Sequence, residues 1–304
     1  MLPLWYNEYK DFIENNIISY LENYLWDKQP NKWLTQFREA LLYSVKGWKK
    51  IRSILALEFY LTLNNMTLKS LIEKQEESWW LLDITKYCLA LEFVHAYSLV
   101  HDDLPCMDND VLRRGQPTTW KQFGEYQWVL VWDTLNSLAF EVISEITDPV
   151  LSVKLSNLLS KAISFHWMIG WQVDDLHFEN NPDELAMWDL IKLHNKKTWA
   201  LIKASVQWWI LVSGKISQIH KLSAFWEKLW LAFQIKDDLL DVEWTAEETG
   251  KSVWWEQKWF VHFIGLSQTK AELKKLIDEC LVSAKILKSE HLRFLVWYIG
   301  NRIK

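Results

Sequence analysis

Apolar residues recur at intervals of three and four along most of the chain. Between residues 84 and 101, the side chains on one predicted helical face are Ile84, Tyr87, Cys88, Leu91, Val94 and Ser98. Because residues three and four apart lie on the same face of an α-helix, this spacing predicts an amphipathic helix. The segment KLWLAFQIKDDLLDV, residues 228–242, is apolar on one side and acidic near its end. It predicts a second long helix whose carboxylates border buried positions.

The helical pattern is interrupted only in short stretches. They lie at 26–32, 64–67, 104–110, 115–118, 147–149, 179–183 and 244–258. No series of segments alternates between polar and apolar residues, and no Asn-Gly pair marks a hairpin turn, so no set of strands is predicted. No low-complexity linker or short repeat divides the chain. The sequence therefore predicts one all-α domain over residues 1–304, with ten or more helices.

Composition and charge narrow the class of protein. Half of the 304 residues are hydrophobic, which is enough for a large core. The net charge is -5 and no long block carries one sign, so we expect no nucleic-acid partner. No apolar run reaches the roughly 18 residues of a membrane span, and the first residues lack the pattern of a signal peptide. Three sparse cysteines are typical of reduced thiols and predict a cytoplasmic protein.

Two acidic clusters are the main candidates for chemistry. The first contains Asp102, Asp103 and Asp108, and the second contains Asp237, Asp238 and Asp241. Either cluster alone is as typical of a solvated acidic face as of a binding site. However, the second cluster is flanked by apolar residues, and buried carboxylates are tolerated mainly when they bind cations. Oxygen ligands of this kind suit Mg²⁺, which also bridges to phosphate.

Basic residues near these clusters predict a polyanionic substrate. A lone lysine is more typical of a solvated surface than of a ligand, but several together can bind an anion through charge-assisted hydrogen bonds. The candidates are Lys49, Arg52, Arg113, Arg114, Lys197, Lys251 and Lys258. His95 lies two helical turns before Asp102, and a structural role and a ligand role are both open for it. Pro105 is predicted to end the first helix and to turn Asp108 back toward the paired aspartates.

These motifs, in this order, resemble the trans-prenyltransferases, namely the farnesyl and geranylgeranyl diphosphate synthases of the short-chain bacterial type. The resemblance runs from about Gly47 to at least Leu266. It is carried by DDLPCMD followed by RRG, and then by KQFGE, QVDDL, KKT and FQIKDDLLD. It implies an isoprenoid-synthase bundle around a central cavity, with the aspartate motifs facing each other across its mouth. The implied reaction is head-to-tail condensation of isopentenyl diphosphate with dimethylallyl or geranyl diphosphate, in a homodimer.

The resemblance also implies a role for each candidate residue. Asp102, Asp108 and Asp237 would be the principal ligands of three Mg²⁺ ions, supported directly or through water by Asp103, Asp238 and Asp241. The allylic diphosphate would be bound by Arg113, Lys197 and Lys258. Isopentenyl diphosphate, which needs no metal, would be bound by Lys49, Arg52, His95 and Arg114, and Lys251 is a further expected substrate contact. Thr198 and Gln234 would line the space where the carbocation forms.

Two residues before the first motif bear on product length. Ser98 lies one turn before Asp102, and Tyr97 stands at the fifth position before the motif. In the family, a bulky aromatic residue there closes the product tunnel, so Tyr97 favours the C15 product farnesyl diphosphate. Geranylgeranyl diphosphate synthesis stays open as an alternative, as does an ordinary core role for Tyr97.

Two other kinds of protein fit part of the sequence. A terpene cyclase shares the fold and the first motif, but DDLLD is not the usual second motif of cyclases. A catalytically inactive prenyltransferase subunit typically loses aspartates, whereas this chain keeps the aspartates of both motifs. If the tryptophans described next are genuine, the inactive subunit becomes a much stronger alternative.

Tryptophan is abundant and glycine is scarce. The chain has 22 Trp and 8 Gly, whereas glycine usually makes about 7% of a protein. Tryptophan stands where the family carries glycine at Trp48, Trp132, Trp171, Trp199 and Trp230, and in the loop after the second motif at Trp244, Trp254 and Trp255. Such glycines allow close backbone approach or a positive φ, and a large ring in their place is costly. Ser53 and Lys50 also depart from the family, which usually has proline and arginine there.

We hypothesise that many of these tryptophans are glycines in the living protein, encoded by UGA that is read as glycine. We expect UGA at the codons of Trp48, Trp171, Trp199 and Trp230, which sequencing of the gene will determine. UGG at these positions would contradict the hypothesis and leave a tryptophan-filled chain that we expect to misfold or to be inactive. Trp120 follows GQPTT, where an aromatic residue is expected, and need not be affected.

Overall fold

The computed structural model describes residues 3–25, 31–47, 49–78, 81–113, 115–184, 186, 189, 204, 219–245, 260–286 and 289–301. Within these ranges, only the backbone is described at 179, 182, 219–223, 241, 243–245 and 286. The chain forms two compact units, Met1–Asn157 and Leu158–Lys304. A single domain over residues 1–304 stays a prediction.

The first unit consists of helices and one small hairpin. Its elements are α1 (Leu4–Tyr24), α2 (Lys32–Val45), α3 (Ile51–Asn64), α4 (Leu68–Ser78), α5 (Asp83–Asp102), β1 (Leu112–Arg113), β2 (Gln116–Pro117), α6 (Thr119–Phe123) and α7 (Glu125–Ser144). Helix α8 (Pro149–Ile163) continues across the division between the units. The described breaks after α3, α5 and α7 fall where the sequence predicts them.

The second unit is also helical where it is described. Its elements are α9 (Met168–Asn180), a 3-10 turn (Pro182–Glu184), α10 (Ile219–Thr245), α11 (Phe260–Ile264), α12 (Leu266–Ile286) and α13 (Glu290–Asn301). Helix α10 packs against α11, α12 and α13. Its buried residues Phe225, Leu229, Ala232, Ile235 and Leu239 follow the predicted spacing of three and four. The predicted all-α class and the predicted helix over 228–242 are confirmed.

Helix α5 is buried on nearly all of its sides. Among its 20 residues, 14 are buried, including the polar residues Thr85, Lys86 and Glu92. It packs against α1, α2, α3 and α7. The prediction of a helix here is confirmed, but the prediction of a single apolar face is too narrow. A helix surrounded by other helices is apolar all round, and its few charged residues need partners.

The hairpin is the one described element that the sequence pattern does not predict. Its strands have two residues each and pair antiparallel, with Leu112 opposite Pro117 and Arg113 opposite Gln116. Strands this short carry no alternation that a pattern can reveal. Gly115 adopts a φ of +77°, which a tight turn requires and which glycine permits without strain.

Two further features concern the cysteines and the length and apolar character of the helices. Cys88, Cys106 and Cys280 are free thiols, of which Cys106 is exposed. None of the helices in the part of the chain that the structure describes combines the length and the apolar character that crossing a membrane requires.

Candidate functional site

The first aspartate motif is built by the abrupt end of α5. His95, Tyr97, Ser98 and Asp102 lie on this one helix, and Asp103 is the residue that follows its last turn. The helix ends before Pro105, which cannot donate a backbone hydrogen bond and disfavours a helical residue before it. The chain then folds back, and the Asp108 N–H donates to the Asp102 carbonyl oxygen at 3.0 Å. The backbone therefore holds Asp108 beside Asp102.

A left-handed residue directs the chain onward from this turn. The Asn109 N–H donates to the Leu104 carbonyl oxygen at 2.8 Å, and Asn109 itself has a φ of 54°. Asparagine tolerates this conformation better than most residues do. The turn leads directly into the hairpin that carries Arg113.

Arg113 binds the buried carboxylate of the motif. Asp103 is 3% exposed, and Arg113 Nε donates to its Oδ1 at 2.6 Å. Arg113 Nη2 also lies 3.2 Å from Asp110 Oδ2. Burial raises the pKa of the Asp103 carboxyl to about 6, although Arg113 acts in the opposite direction. Burial alone would lower the pKa of Arg113, but its hydrogen bond to Asp103 raises the pKa overall.

The electrostatics of this cluster fit a bound cation. The raised pKa of Asp103 means that one guanidinium does not fully offset the cost of burying this carboxylate. Asp102 keeps 18% of its side chain exposed, and Asp108 is exposed. These carboxylates can therefore reach an ion from solvent, while Asp103 is held by Arg113. No three metal-ligating side chains converge on one point among the described residues, so the first motif alone is not a complete cage.

The second motif lies on α10. Gln234 and Asp238 are buried, whereas Asp237 is half-buried. Asp238 Oδ2 accepts a hydrogen bond from the Phe260 N–H at 3.0 Å. Asp238 therefore accepts from one of the first N–H groups of α11, which have no acceptor within their own helix, in addition to its predicted role near a metal. Asp241 lies one turn after Asp237, and its side chain is outside the described part.

Three of the residues predicted to bind isopentenyl diphosphate lie on or just before two helices that pack together. Lys49 lies two residues before the start of α3, and Arg52 lies in its first turn; both are half-buried. His95 is half-buried on α5, which packs against α3. The structure does not describe the remaining predicted site residues, which are Arg114, Lys197, Thr198, Lys251 and Lys258. It also does not describe four of the tryptophans at expected glycine positions, namely Trp48, Trp199, Trp254 and Trp255.

The two predicted product-length residues have different surroundings. Tyr97 is 6% exposed and stacks on Trp132 of α7, with ring centroids 6.5 Å apart. Burial, and to a lesser extent the charge of Asp102, raises the pKa of Tyr97 to about 12. The Ser98 hydroxyl donates to the His95 carbonyl oxygen at 2.9 Å within α5. Tyr97 therefore faces α7, whereas the Ser98 hydroxyl is satisfied by its own helix.

An aromatic cluster beside Asp102 was not predicted as part of the site. Trp132 contacts His101 at a centroid distance of 5.0 Å and stacks on Trp128 at 6.4 Å. The buried Nε1 atoms of Trp128 and Trp132 have no acceptor within the described ranges. Trp120 differs, because its Nε1 donates to the Asp110 carbonyl oxygen at 2.8 Å. The structure thus uses the indole nitrogen of Trp120 but not that of Trp132.

The tryptophans on α9 and α10 are buried too. Trp171 is 4% exposed and Trp230 is 3% exposed, and Trp230 stacks on Phe233 at 5.0 Å. The glycine before Trp171 cannot be replaced in the same way, because a Cβ on Gly170 would lie 1.8 Å from the Phe165 carbonyl oxygen. Only the backbone of Trp244 is described.

A buried polar network next to α3 was also missed. Glu92 lies within the apolar segment ALEFV of α5, and it contacts Lys50 and Ser53. The signal available in the sequence was a glutamate on a helix whose other residues are almost all apolar. A charged residue at such a position requires a partner, but the pattern does not identify that partner.

Comparison with known proteins agrees with this arrangement. A model of the family described as Polyprenyl synthetase matches residues 34–281. Farnesyl diphosphate synthase of Micrococcus luteus is 34% identical over 279 residues, covering 89% of this chain and 90% of the relative. The apo structure of an FPP/GFPP synthase from Zymomonas mobilis has 28% identity and a TM-score of 0.78, covering 97% of this chain and 100% of that one. The chain belongs to the polyprenyl synthetase family and is a prenyltransferase.

A plant relative is similar over a smaller part. Geranylgeranyl pyrophosphate synthase 3, chloroplastic, of Arabidopsis thaliana is 36% identical over 226 residues. These residues cover 70% of this chain and 63% of the relative. Relatives with two product names therefore match this chain at comparable identity.

Replacing Trp120 and Trp132 in turn tests whether the hydrogen bond of the indole nitrogen stabilises the fold at each position. We expect Trp120→Phe to lower the free energy of unfolding by about 1 kcal/mol, because the Asp110 carbonyl loses a donor. Trp132→Phe should change it by less than about 0.5 kcal/mol or raise it, because a buried donor without an acceptor is removed. Urea denaturation followed by circular dichroism measures both values. A larger loss for Trp132→Phe than for Trp120→Phe would contradict this interpretation.

Proposed function

We propose that this protein condenses isopentenyl diphosphate with dimethylallyl or geranyl diphosphate to give farnesyl diphosphate. The observation that carries the proposal is the pairing of Asp102 with Asp108 through a backbone hydrogen bond, beside the buried Asp103–Arg113 pair. It brings accessible carboxylates next to a fixed guanidinium, which suits a diphosphate bound through metal. The Micrococcus luteus relative, a farnesyl diphosphate synthase, supports the product named.

We propose Mg²⁺ as the cofactor, with three ions and the carboxylates of both motifs as ligands. The proposed ligands are Asp102, Asp103, Asp108, Asp237, Asp238 and Asp241. Six carboxylates would be offset by three divalent cations, and the raised pKa of Asp103 is consistent with a need for further positive charge. When bound, Mg²⁺ stabilises the negative charge that develops on a diphosphate leaving group.

The residues of the chain then bind and orient the two substrates. Arg113, Lys197 and Lys258 are proposed to bind the allylic diphosphate, and Lys49, Arg52, His95 and Arg114 to bind isopentenyl diphosphate, with Lys251 as a further contact. The allylic C–O bond breaks, its electron pair leaves with the diphosphate, and a delocalised carbocation remains. The double bond of isopentenyl diphosphate, held close, attacks this cation. A proton then passes to the released diphosphate.

The surroundings of the cation must exclude water. Thr198 and Gln234 are proposed to line this space, and Tyr97 to end the path of the growing chain. Gln234 and Tyr97 are 7% and 6% exposed, so both are shielded from solvent that would quench a cation. A homodimer and a cytoplasmic location are proposed with the function, the first from the family resemblance and the second from the sparse, free cysteines.

Geranylgeranyl diphosphate synthesis is the second candidate. It is favoured by the similarity to the Arabidopsis thaliana relative, a geranylgeranyl pyrophosphate synthase. The two candidates share their ligands and chemistry and differ in the space available beyond Tyr97. Neither a terpene cyclase nor an inactive subunit would consume isopentenyl diphosphate, so product analysis separates them from both candidates.

Asp102 provides the main test of the proposed function. We expect a chain with glycine at Trp48, Trp132, Trp171, Trp199 and Trp230 to make farnesyl diphosphate from isopentenyl diphosphate and geranyl diphosphate with Mg²⁺. In that chain, Asp102→Asn should lower kcat by about 100-fold or more. Asp278→Asn, on an exposed position of α12, should match the parent. Removal of Mg²⁺ by a chelator should stop the reaction, and added Mg²⁺ should restore it.

The assay is run on this chain and on a chain with glycine at Trp48, Trp132, Trp171, Trp199 and Trp230. Elongation by the glycine-containing chain alone would support the codon hypothesis as well as the proposed function. If neither chain elongates an allylic diphosphate, the proposed function is overturned.

Tyr97 provides the test of product length. Tyr97→Ala should shift the main product from farnesyl to geranylgeranyl diphosphate, because removal of the ring opens space below the first motif. Tyr97→Phe keeps the ring and should keep the C15 product. Chromatography of the dephosphorylated products measures the ratio. An unchanged ratio in Tyr97→Ala would assign Tyr97 to the ordinary core.

A further inference from the structure

Lys50, the neighbour of Lys49, has an unusual backbone conformation. Lys50 adopts a φ of 53° and a ψ of 25° at the N-cap of α3. A left-handed conformation is uncommon for a residue with a side chain and persists only where the surroundings enforce it. Lys50 is 2% exposed, and its Nζ donates to the Val45 carbonyl oxygen at 2.7 Å. The lysine thereby bridges the end of α2 and the start of α3.

A buried glutamate completes this bridge. Lys50 Nζ lies 3.7 Å from Glu92 Oε2, and each side chain is 1% exposed. The Ser53 hydroxyl donates to Glu92 Oε1 at 2.7 Å and lies 3.0 Å from the Cys88 carbonyl oxygen. Glu92 therefore ties both ends of the first turn of α3 to α5. His95 follows Glu92 by three residues on the same helix.

The other side of the segment is held by α1. Tyr6 Oη donates to the Lys49 carbonyl oxygen at 2.6 Å, and the Gly47 N–H donates to Glu14 Oε1 at 3.0 Å. The backbone on either side of residue 48 is thus fixed from α1, and Lys50 is fixed from α5. Lys49 and Arg52, in contrast, stay half-buried.

Stability alone is a weak reason for this network. Taking a lysine and a glutamate out of water costs free energy that their mutual attraction only partly offsets. Burial lowers the pKa of the Lys50 amine, and Glu92 acts against this shift. Local strain and buried charge together are typical of segments whose geometry matters for function.

We propose that Lys50, Glu92 and Ser53 are positioning residues that fix the geometry of Lys49 and Arg52 for the diphosphate of isopentenyl diphosphate. The inference rests on the proposed function, because Lys49 and Arg52 are the residues proposed to bind this substrate. Lys50 and Ser53 are also the positions at which the chain departs from the family's usual arginine and proline. In this structure both of them contact the same glutamate, so the departures form one network.

Glu92→Gln is the central variant, because it keeps the shape of the side chain and removes its charge. We expect a rise of roughly tenfold or more in the Kd and the KM for isopentenyl diphosphate, since small displacements of binding groups have large effects. The KM for geranyl diphosphate and kcat should change by less than about threefold. Calorimetry with isopentenyl diphosphate alone gives the Kd, and steady-state kinetics give the other constants.

Further variants separate positioning from folding. Ser53→Ala removes only a hydroxyl and should raise the same Kd by about two- to fivefold. Lys50→Arg keeps the positive charge and should retain binding, whereas Lys50→Met should lose it. Glu58→Gln is the matched control, because Glu58 is also a buried glutamate and accepts a hydrogen bond from Tyr9 at 2.8 Å. It should lower the melting temperature without changing the Kd.

Each outcome decides one question. An unchanged Kd in Glu92→Gln, or an equal rise in Glu58→Gln, would assign the network to general stability and overturn the inference. A parent chain that binds isopentenyl diphosphate but does not elongate an allylic substrate would overturn the proposed function, while the comparison of Kd values still tests the inference. If neither this chain nor the chain with glycine at Trp48, Trp132, Trp171, Trp199 and Trp230 binds isopentenyl diphosphate, the inference itself is overturned.

Discussion

The burial of α5 on nearly all sides is the constraint on which the first unit depends. A helix surrounded by others can hold a charged residue only where a partner offsets the lost hydration. Glu92 has Lys50 and Ser53 as partners, and Lys86 donates to the Glu145 carbonyl oxygen at 2.5 Å. Lys50 and Ser53 lie at the start of α3, and Glu145 directly follows α7. The polar groups of α5 therefore fix the start of α3 and the end of α7, and with them the segment that carries Lys49.

Burial becomes less complete at the carboxyl end of α5, where the first aspartate motif lies. Asp103 is still buried and is held by Arg113, whereas Asp102 and Asp108 reach solvent. One carboxylate thus anchors the hairpin that follows, and the others remain accessible to a cation. This division of roles depends on where the helix stops, because one further turn would carry Asp108 away from Asp102. Pro105 prevents that turn.

The aromatic cluster of Tyr97, Trp132 and Trp128 connects the identity of residue 132, tryptophan or glycine, with the predicted length of the product. Tyr97 stacks on Trp132, and Trp132 stacks on Trp128. Glycine at position 132 would remove the middle ring and leave Tyr97 without its present neighbour on α7. The identity of residue 132 therefore changes the surroundings of the residue proposed to limit chain length. The buried indole nitrogens of Trp132 and Trp128 both lack an acceptor among the described residues, so neither ring gains a hydrogen bond from its place in this cluster.

The sequence by itself determined the helical class, the long helices around residues 84–101 and 228–242, and the order of the motifs, because these depend on spacing along a few turns. The tertiary structure alone decided the partners of the buried charges. Lys50 and Glu92 are far apart in the chain, and Arg113 meets Asp103 only because of a hairpin too short to leave a pattern. Periodicity records which residues are buried, whereas the cost of burying a charge is offset by whichever distant group the fold brings to it.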